Sequence, residues 1–171
     1  MIIGITGHTS GIGKSINDWF QSKGHHIKGF SRSNGYDIVY KYDILESLHD
    51  CDVFINNAYF EWAQSELLYS VYDIWKDLPK TIINISSNSS DGIKNFSHSY
   101  AIHKAALDKS IEQLQNTKPI CRIMNLKPGY VDTPKVKHII GVKKLSPDYI
   151  AEIVGWMFEQ PSLIKSLTIE N

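Results

Sequence analysis

Ser87, Tyr100 and Lys104 are the side chains whose types and spacing could carry out a reaction. Tyr100 and Lys104 stand four positions apart, so a helix puts them on one face. A phenol near pKa ~10 is a poor acid or base at neutral pH, and a neighbouring cation moves it toward the working range. A hydroxyl such as that of Ser87 can hold a substrate oxygen by hydrogen bond while its charge changes. Together the three suit proton transfer to or from a carbonyl or an alcohol. Y-x-x-x-K by itself is a common surface pattern, so its weight must come from the elements that position it.

Those elements can be read along the chain. The apolar run over 81–85 is a buried strand that stops at a cluster of hydroxyls holding Ser87. A polar loop follows, and a helical pattern starts near Ser99 and continues through Ala105, Leu107, Ile111 and Leu114. The chain opens with a strand over 1–6, then T-G-H-T-S-G-I-G over 6–13, then a helix carried by Ile12, Ile16, Trp19 and Phe20 and ended by Gly24. Strand, glycine-rich turn and helix make a dinucleotide phosphate site formed by Gly7, Thr9, Ser10, Gly11, Ile12 and Gly13. A second strand over 26–30 ends at Ser31 and Arg32. No carboxylate lies between Lys28 and Asn34, and on position alone Arg32 is equally a cation for the 2′-phosphate of NADP or a solvated surface side chain. The next buried strand, 53–58, closes on Asn56, Asn57 and Ala58, whose amides can fix backbone and side-chain hydrogen bonds together.

Composition limits the remaining classes. A chain of 171 residues is read as one domain spanning 1–171. Eighteen basic against eighteen acidic side chains leave no global field for nucleic acid or an anionic membrane. Cys51 and Cys121 lack metal-ligand spacing and read as small buried thiols, and no metal site is expected. With no signal-like start and no run of membrane-spanning length, the expected setting is cytoplasmic.

The motifs at 6–13, N-N-A at 56–58, Ser87, Y-x-x-x-K at 100–104 and P-G-Y-V-D-T at 128–133 stand in the order found in short-chain dehydrogenases/reductases. Ser87 also precedes Tyr100 by the thirteen positions common in single-domain members. The chain therefore resembles that family from residue 6 to 133. The resemblance implies an α/β Rossmann fold, a doubly wound parallel sheet with strands in the order 3-2-1-4-5-6-7. The alternation of short apolar strands with helical patterns agrees. It further implies an NADPH-dependent oxidoreductase interconverting a carbonyl and an alcohol. In that scheme Tyr100 is the acid/base, Ser87 holds the oxygen, and Lys104 tunes Tyr100 and binds the nicotinamide ribose. Asp43, closing a third strand over 39–43, would lie near the adenine. Asn57, Ala58, Pro128 and Gly129 would line the cofactor, Val131 would meet the carboxamide through its backbone, and Thr133 would lie at the same end.

The chain departs from that pattern in places. Tyr59 stands where the family continues with glycine, and the family's helix asparagine has no counterpart between Ala58 and Ile83, where Gln64 or Ser65 could replace it. Only the short segment 134–145 can cover a small-molecule substrate. Helices over 61–76 and 99–116 offer an association surface for a homo-oligomer. A competing reading is a nucleotide-binding regulatory or interaction protein with little turnover, and an epimerase or dehydratase is a third.

Overall fold

The computed structural model describes residues 1–93 and 95–170. Six strands form one parallel sheet: β1 (Ile2–Thr6), β2 (His26–Phe30), β3 (Val53–Asn56), β4 (Thr81–Ile85), β5 (Arg122–Pro128) and β6 (Ser166–Ile169). The helices are α1 (Gly11–Ser22), α2 (Tyr42–Ser47), α3 (Ala63–Trp75), α4 (Ser99–Asn116) and α5 (Pro147–Glu159). The sheet order is β2-β1-β3-β4-β5-β6, a doubly wound arrangement that reverses direction beside β1.

Alternation along the strands splits the core into two layers. Ile3 and Ile5 of β1, Ile55, Ile83 and Met124 pack under α1 and α5 with Ile16, Phe20, Ile150 and Val154. Phe54, Ile82 and Ile123 point the other way, against Leu67, Trp75, Leu107 and Ile111 of α3 and α4. Three asparagines interrupt this second layer in register, Asn56 beside Asn84 and Asn84 beside Asn125. They are fully or nearly fully buried, so the polar chemistry of the sheet gathers under α3 and α4 near the carboxyl ends of its central strands.

The expected third strand over 39–43 does not form, and the expected order 3-2-1-4-5-6-7 loses its first member. Val39, Tyr40 and Tyr42 are all exposed, so the segment has no inward-facing alternate residue to bury. Instead Ile38 enters the core, Asp37 accepts a bond from Val39 N at 3.0 Å, and Tyr42 and Asp43 start α2. Other boundaries shift by one to three residues: Cys121 precedes β5 rather than lying within a strand, and both cysteines are free and buried. No helix is long and apolar enough to cross a membrane among the described residues.

Candidate active site

The glycine-rich loop is tied to its neighbours at the ends of β1 and β3. Thr6 Oγ1, fully buried, accepts from Asn57 N at 2.9 Å and Ala58 N at 3.0 Å, while Asn57 Nδ2 donates to Thr6 O at 2.9 Å. A Cβ on Gly13 would stand 2.2 Å from Gly7 O, so only glycine lets α1 start this close to the strand. Gly7 itself holds φ 70°, the left-handed region. Thr133 approaches from the far side, its Cγ2 3.1 Å from where a Gly11 Cβ would sit. Val131 is buried and bridges Leu145, and Gly129 N donates to Ile169 O at 2.8 Å at the end of β5, after Pro128. Thr9, Ser10 and Ile12 lie on the same turn, with Ser10 as the N-cap of α1. The structure thus brings the glycine-rich turn, the N-N-A turn and the segment after β5 together at the carboxyl ends of the strands.

Ser31 and Arg32 lie at the end of β2, where Asn34 accepts from Ser31 N at 2.8 Å and donates to Gly29 O at 2.8 Å. That turn leaves Arg32 exposed, and among the described residues no carboxylate pairs with it. Asp43, expected to close a strand, is instead exposed in the first turn of α2, where a carboxylate complements the helix dipole.

Ser87 closes β4 and caps the 3-10 turn Asn88–Asp91, its Oγ accepting from Ser89 N at 3.2 Å. Tyr100 and Lys104 lie in the first two turns of α4 and face it. Burial drives the Tyr100 phenol above its ordinary value; a hydrogen bond with Ser87 works the other way, and Tyr59 and Asp108 add to the rise. Lys104 is 2% exposed, and Nζ donates to Gln64 Oε1 and to Ile85 O, both at 2.8 Å. Burial takes its pKa down to about 7, with Asp108 opposing and Lys135 assisting. The expected effect, a lysine cation lowering the tyrosine, is therefore not the balance found in the free chain. Lys104 is itself short of charge, and Tyr100 stays protonated at neutral pH.

Gln64 is the residue that holds the lysine. Its Nε2 donates to Asn56 O at 2.8 Å and Ile85 O at 3.1 Å, so chemistry orients the amide and its oxygen must face Lys104. Asn56 Nδ2 in turn bonds Gln64 O at 3.0 Å and Asn84 Oδ1 at 3.1 Å. Of the two replacements open in the sequence, Gln64 or Ser65, the one in contact with the lysine is Gln64. A second polar cluster was not foreseen. Lys127 of β5 pairs with Asp108 Oδ2 of α4 at 3.0 Å and with Asp91 of the 3-10 turn at 2.5 Å. Asn125 Nδ2 reaches the same Asp108 at 2.9 Å. The signal was available: a lysine inside an apolar strand must find a partner.

A shallow cleft of ≈ 340 Å³ is lined by Asn88, the residue after Ser87, with Gly129, Tyr130, Val142, Lys143 and Glu170. Asn88 Nδ2 donates to Glu170 Oε1 at 3.0 Å across it. Among the described residues no cluster of His, Cys, Asp and Glu could hold a metal ion.

No protein-family model matches the chain, and no curated protein does. Solved structures do. An alcohol dehydrogenase from the archaeon Thermococcus sibiricus, complexed with 5-hydroxy-NADP, is 21% identical with a TM-score of 0.77, over 98% of this chain and 95% of that one. A 3-alpha-hydroxysteroid dehydrogenase from Pseudomonas sp. B-0831, complexed with NADH, is 16% identical with a TM-score of 0.80, over 99% and 95%. A short chain dehydrogenase from Burkholderia cenocepacia in complex with NADP is 16% identical with a TM-score of 0.83, over 99% of this chain and 88% of that one. The chain has the fold of the short-chain dehydrogenases/reductases.

Proposed function

We propose that this chain is an NADPH-dependent oxidoreductase that interconverts a carbonyl and an alcohol on a small substrate. One observation carries the reading: a protonated Tyr100, close enough to Ser87 for that hydroxyl to work against the effect of burial, lies one helical turn from Lys104 near the strand ends that carry a glycine-rich loop with no room for a Cβ at Gly13. The residues present fit a nicotinamide dinucleotide. The Gly13 position has no room for a Cβ, which brings the α1 N-terminus close to where a pyrophosphate would lie. Gly7 lies against Asn57 and Ala58, and Gly11 against Thr133, two residues past Val131, so these residues would hold the dinucleotide. When bound, the cofactor supplies or accepts the hydride.

The chain's own groups do the rest. Ser87 holds the substrate oxygen, and Tyr100, kept protonated by its burial, donates its phenolic proton to that oxygen as negative charge develops. That protonation state favours the reductive direction at neutral pH. Lys104, with a pKa of about 7, exchanges a proton at Nζ near neutrality. Asn88, which follows Ser87, lines the cleft with Tyr130 and Glu170, and these three would contact the remainder of the substrate. The coenzyme preference rests on Arg32 without an acidic neighbour. Neighbours of this fold carry NADP or NADH, which supports a nicotinamide coenzyme of either kind.

Turnover of NADPH with a panel of aldehydes and ketones, followed by nicotinamide absorbance, tests the reading. Tyr100→Phe is expected to abolish turnover with NADPH affinity nearly unchanged, and Ser87→Ala to lower turnover on the order of 10²-fold. Full activity in Tyr100→Phe would refute this mechanism. Arg32→Ala is expected to weaken NADPH binding about ten- to a hundred-fold, the loss of one charge-assisted phosphate contact, and to leave NADH unaffected. Equal affinity of the unmodified chain for the two coenzymes, measured by fluorescence titration, removes the preference. A binding protein with little turnover remains the second reading, favoured by the near-complete burial of Lys104; NADPH binding without reduction of any substrate would select it.

A further inference from the structure

Tyr59 follows the N-N-A turn and reaches across to the start of α4. Its ring packs edge-on against Tyr100, with centroids 4.8 Å apart. Lys104 Nζ lies 5.4 Å from the centre of the Tyr59 ring and 5.7 Å from that of Tyr100. The Tyr59 hydroxyl is 2.8 Å from His103 Nδ1, and His103 packs edge-on against Trp62 at 4.5 Å. Two of the three protons an ammonium carries are already directed at Gln64 and Ile85 O, which lie behind the lysine. The remaining side of Nζ faces the two phenol rings. Lys104 is consequently 2% exposed although it stands within the proposed active site.

We propose that Tyr59, anchored by His103, determines whether Lys104 is open to the cofactor. The inference rests on the reading above, in which Lys104 meets the nicotinamide ribose. A ribose hydroxyl must come within ~3 Å of Nζ to hydrogen-bond it. The approach not taken by Gln64 and the sheet is covered by the rings of Tyr59 and Tyr100. The Tyr59 ring is held by one hydrogen bond and by ring contacts with Tyr100 and His103, and the side chain is half-buried, so it can leave without unpacking the core. A small residue at position 59 removes the Tyr59 share of that cover and leaves the Tyr100 ring in place. The observed affinity for cofactor is then the intrinsic affinity multiplied by the fraction of molecules in which Tyr59 has moved aside.

Chemical labelling of Lys104 tests the cover directly, in the full chain and without turnover. Reductive methylation at fixed pH is followed by peptide mass spectrometry, and NADPH affinity is measured on the same proteins by titration. Lys104 is expected to be among the slowest lysines to label in the unmodified chain. It should label about tenfold faster in Tyr59→Ala, with NADPH restoring protection and binding about three- to tenfold more tightly, as expected when the competent fraction rises. His103→Ala, which keeps the ring but cuts its tether, should fall between the two. Equal labelling rates in the unmodified chain, Tyr59→Ala and His103→Ala overturn the proposal alone. Faster labelling without tighter NADPH binding overturns the access role as well. NADPH binding to neither protein, with the labelling contrast intact, defeats the cofactor reading and the proposal with it.

Discussion

Lys104 is buried with a neutral amide, not a carboxylate, as its side-chain partner. A neutral acceptor satisfies the donor geometrically but supplies no counter-charge, so desolvation dominates and the lysine titrates at about 7. Gln64→Glu would put a carboxylate within reach of the same Nζ and stabilise the ammonium. The inflection near pH 7 in the turnover profile should then move upward by roughly one unit or more, while Gln64→Leu should lower stability by about 1–3 kcal/mol because it orphans buried polar groups. A pH profile identical in Gln64→Glu and the unmodified chain would show that Lys104 does not govern that limb. Spacing named Tyr100 and Lys104 as partners. It could not tell that the side-chain partner of Lys104 would be a residue forty positions earlier.

Between elements, Lys127 joins three that are remote in sequence: β5, α4 through Asp108, and the 3-10 turn after β4 through Asp91. Burial pulls the Lys127 ammonium down, and the hydrogen bonds it donates to Asp91 and Asp108 more than offset it, leaving the group above its ordinary value. Lys127→Met leaves Asp108 in a largely buried place without its cation. It should cost about 3 kcal/mol of stability in urea unfolding. Hydrogen exchange over 88–93 should quicken while the α1 and α5 layer keeps its protection. Uniform loosening of both layers would show that the pair acts on the whole sheet rather than on the turn that carries Asn88 and Asp91. The helices α1, α3, α4 and α5 follow apolar spacing that was readable in the chain. α2 was not, because V-Y-K-Y-D has the composition of a strand, and only the absence of a buried alternate face shows that it cannot serve as one.

For the molecule as a whole, a lysine that is mostly uncharged when folded makes stability depend on pH. The unfolded chain holds the Lys104 proton up to about 10.5 and the folded chain releases it above about 7. Between those values the unfolded state binds more protons, so this group makes stability rise with pH. Below about 7 both states are protonated and the destabilisation is at its full size, on the order of 5 kcal/mol; above the unfolded value it is gone. Lys104→Met removes this contribution. The difference in unfolding free energy between Lys104→Met and the unmodified chain should favour the variant most at pH 6–7 and shrink steadily toward pH 10. A difference independent of pH would mean that the lysine is charged when folded. Lys28 and Lys127, both raised, tilt in the opposite sense, which is why the comparison must be made as a difference.

Order and spacing of motifs were enough to read the parallel sheet, the glycine-rich turn, the strand ends that carry Asn57, Ser87 and Gly129, and the helix face shared by Tyr100 and Lys104. These depend on periodicity, on turn residues and on neighbours close in sequence, all of which a single chain displays. The absence of a strand at 39–43, the amide of Gln64 under Lys104, the ring of Tyr59 over it and the Lys127 pairs were decided only in three dimensions. Each depends on which buried polar group is left needing a partner once the sheet has closed. That need arises from packing across segments distant in sequence, and no local spacing encodes it.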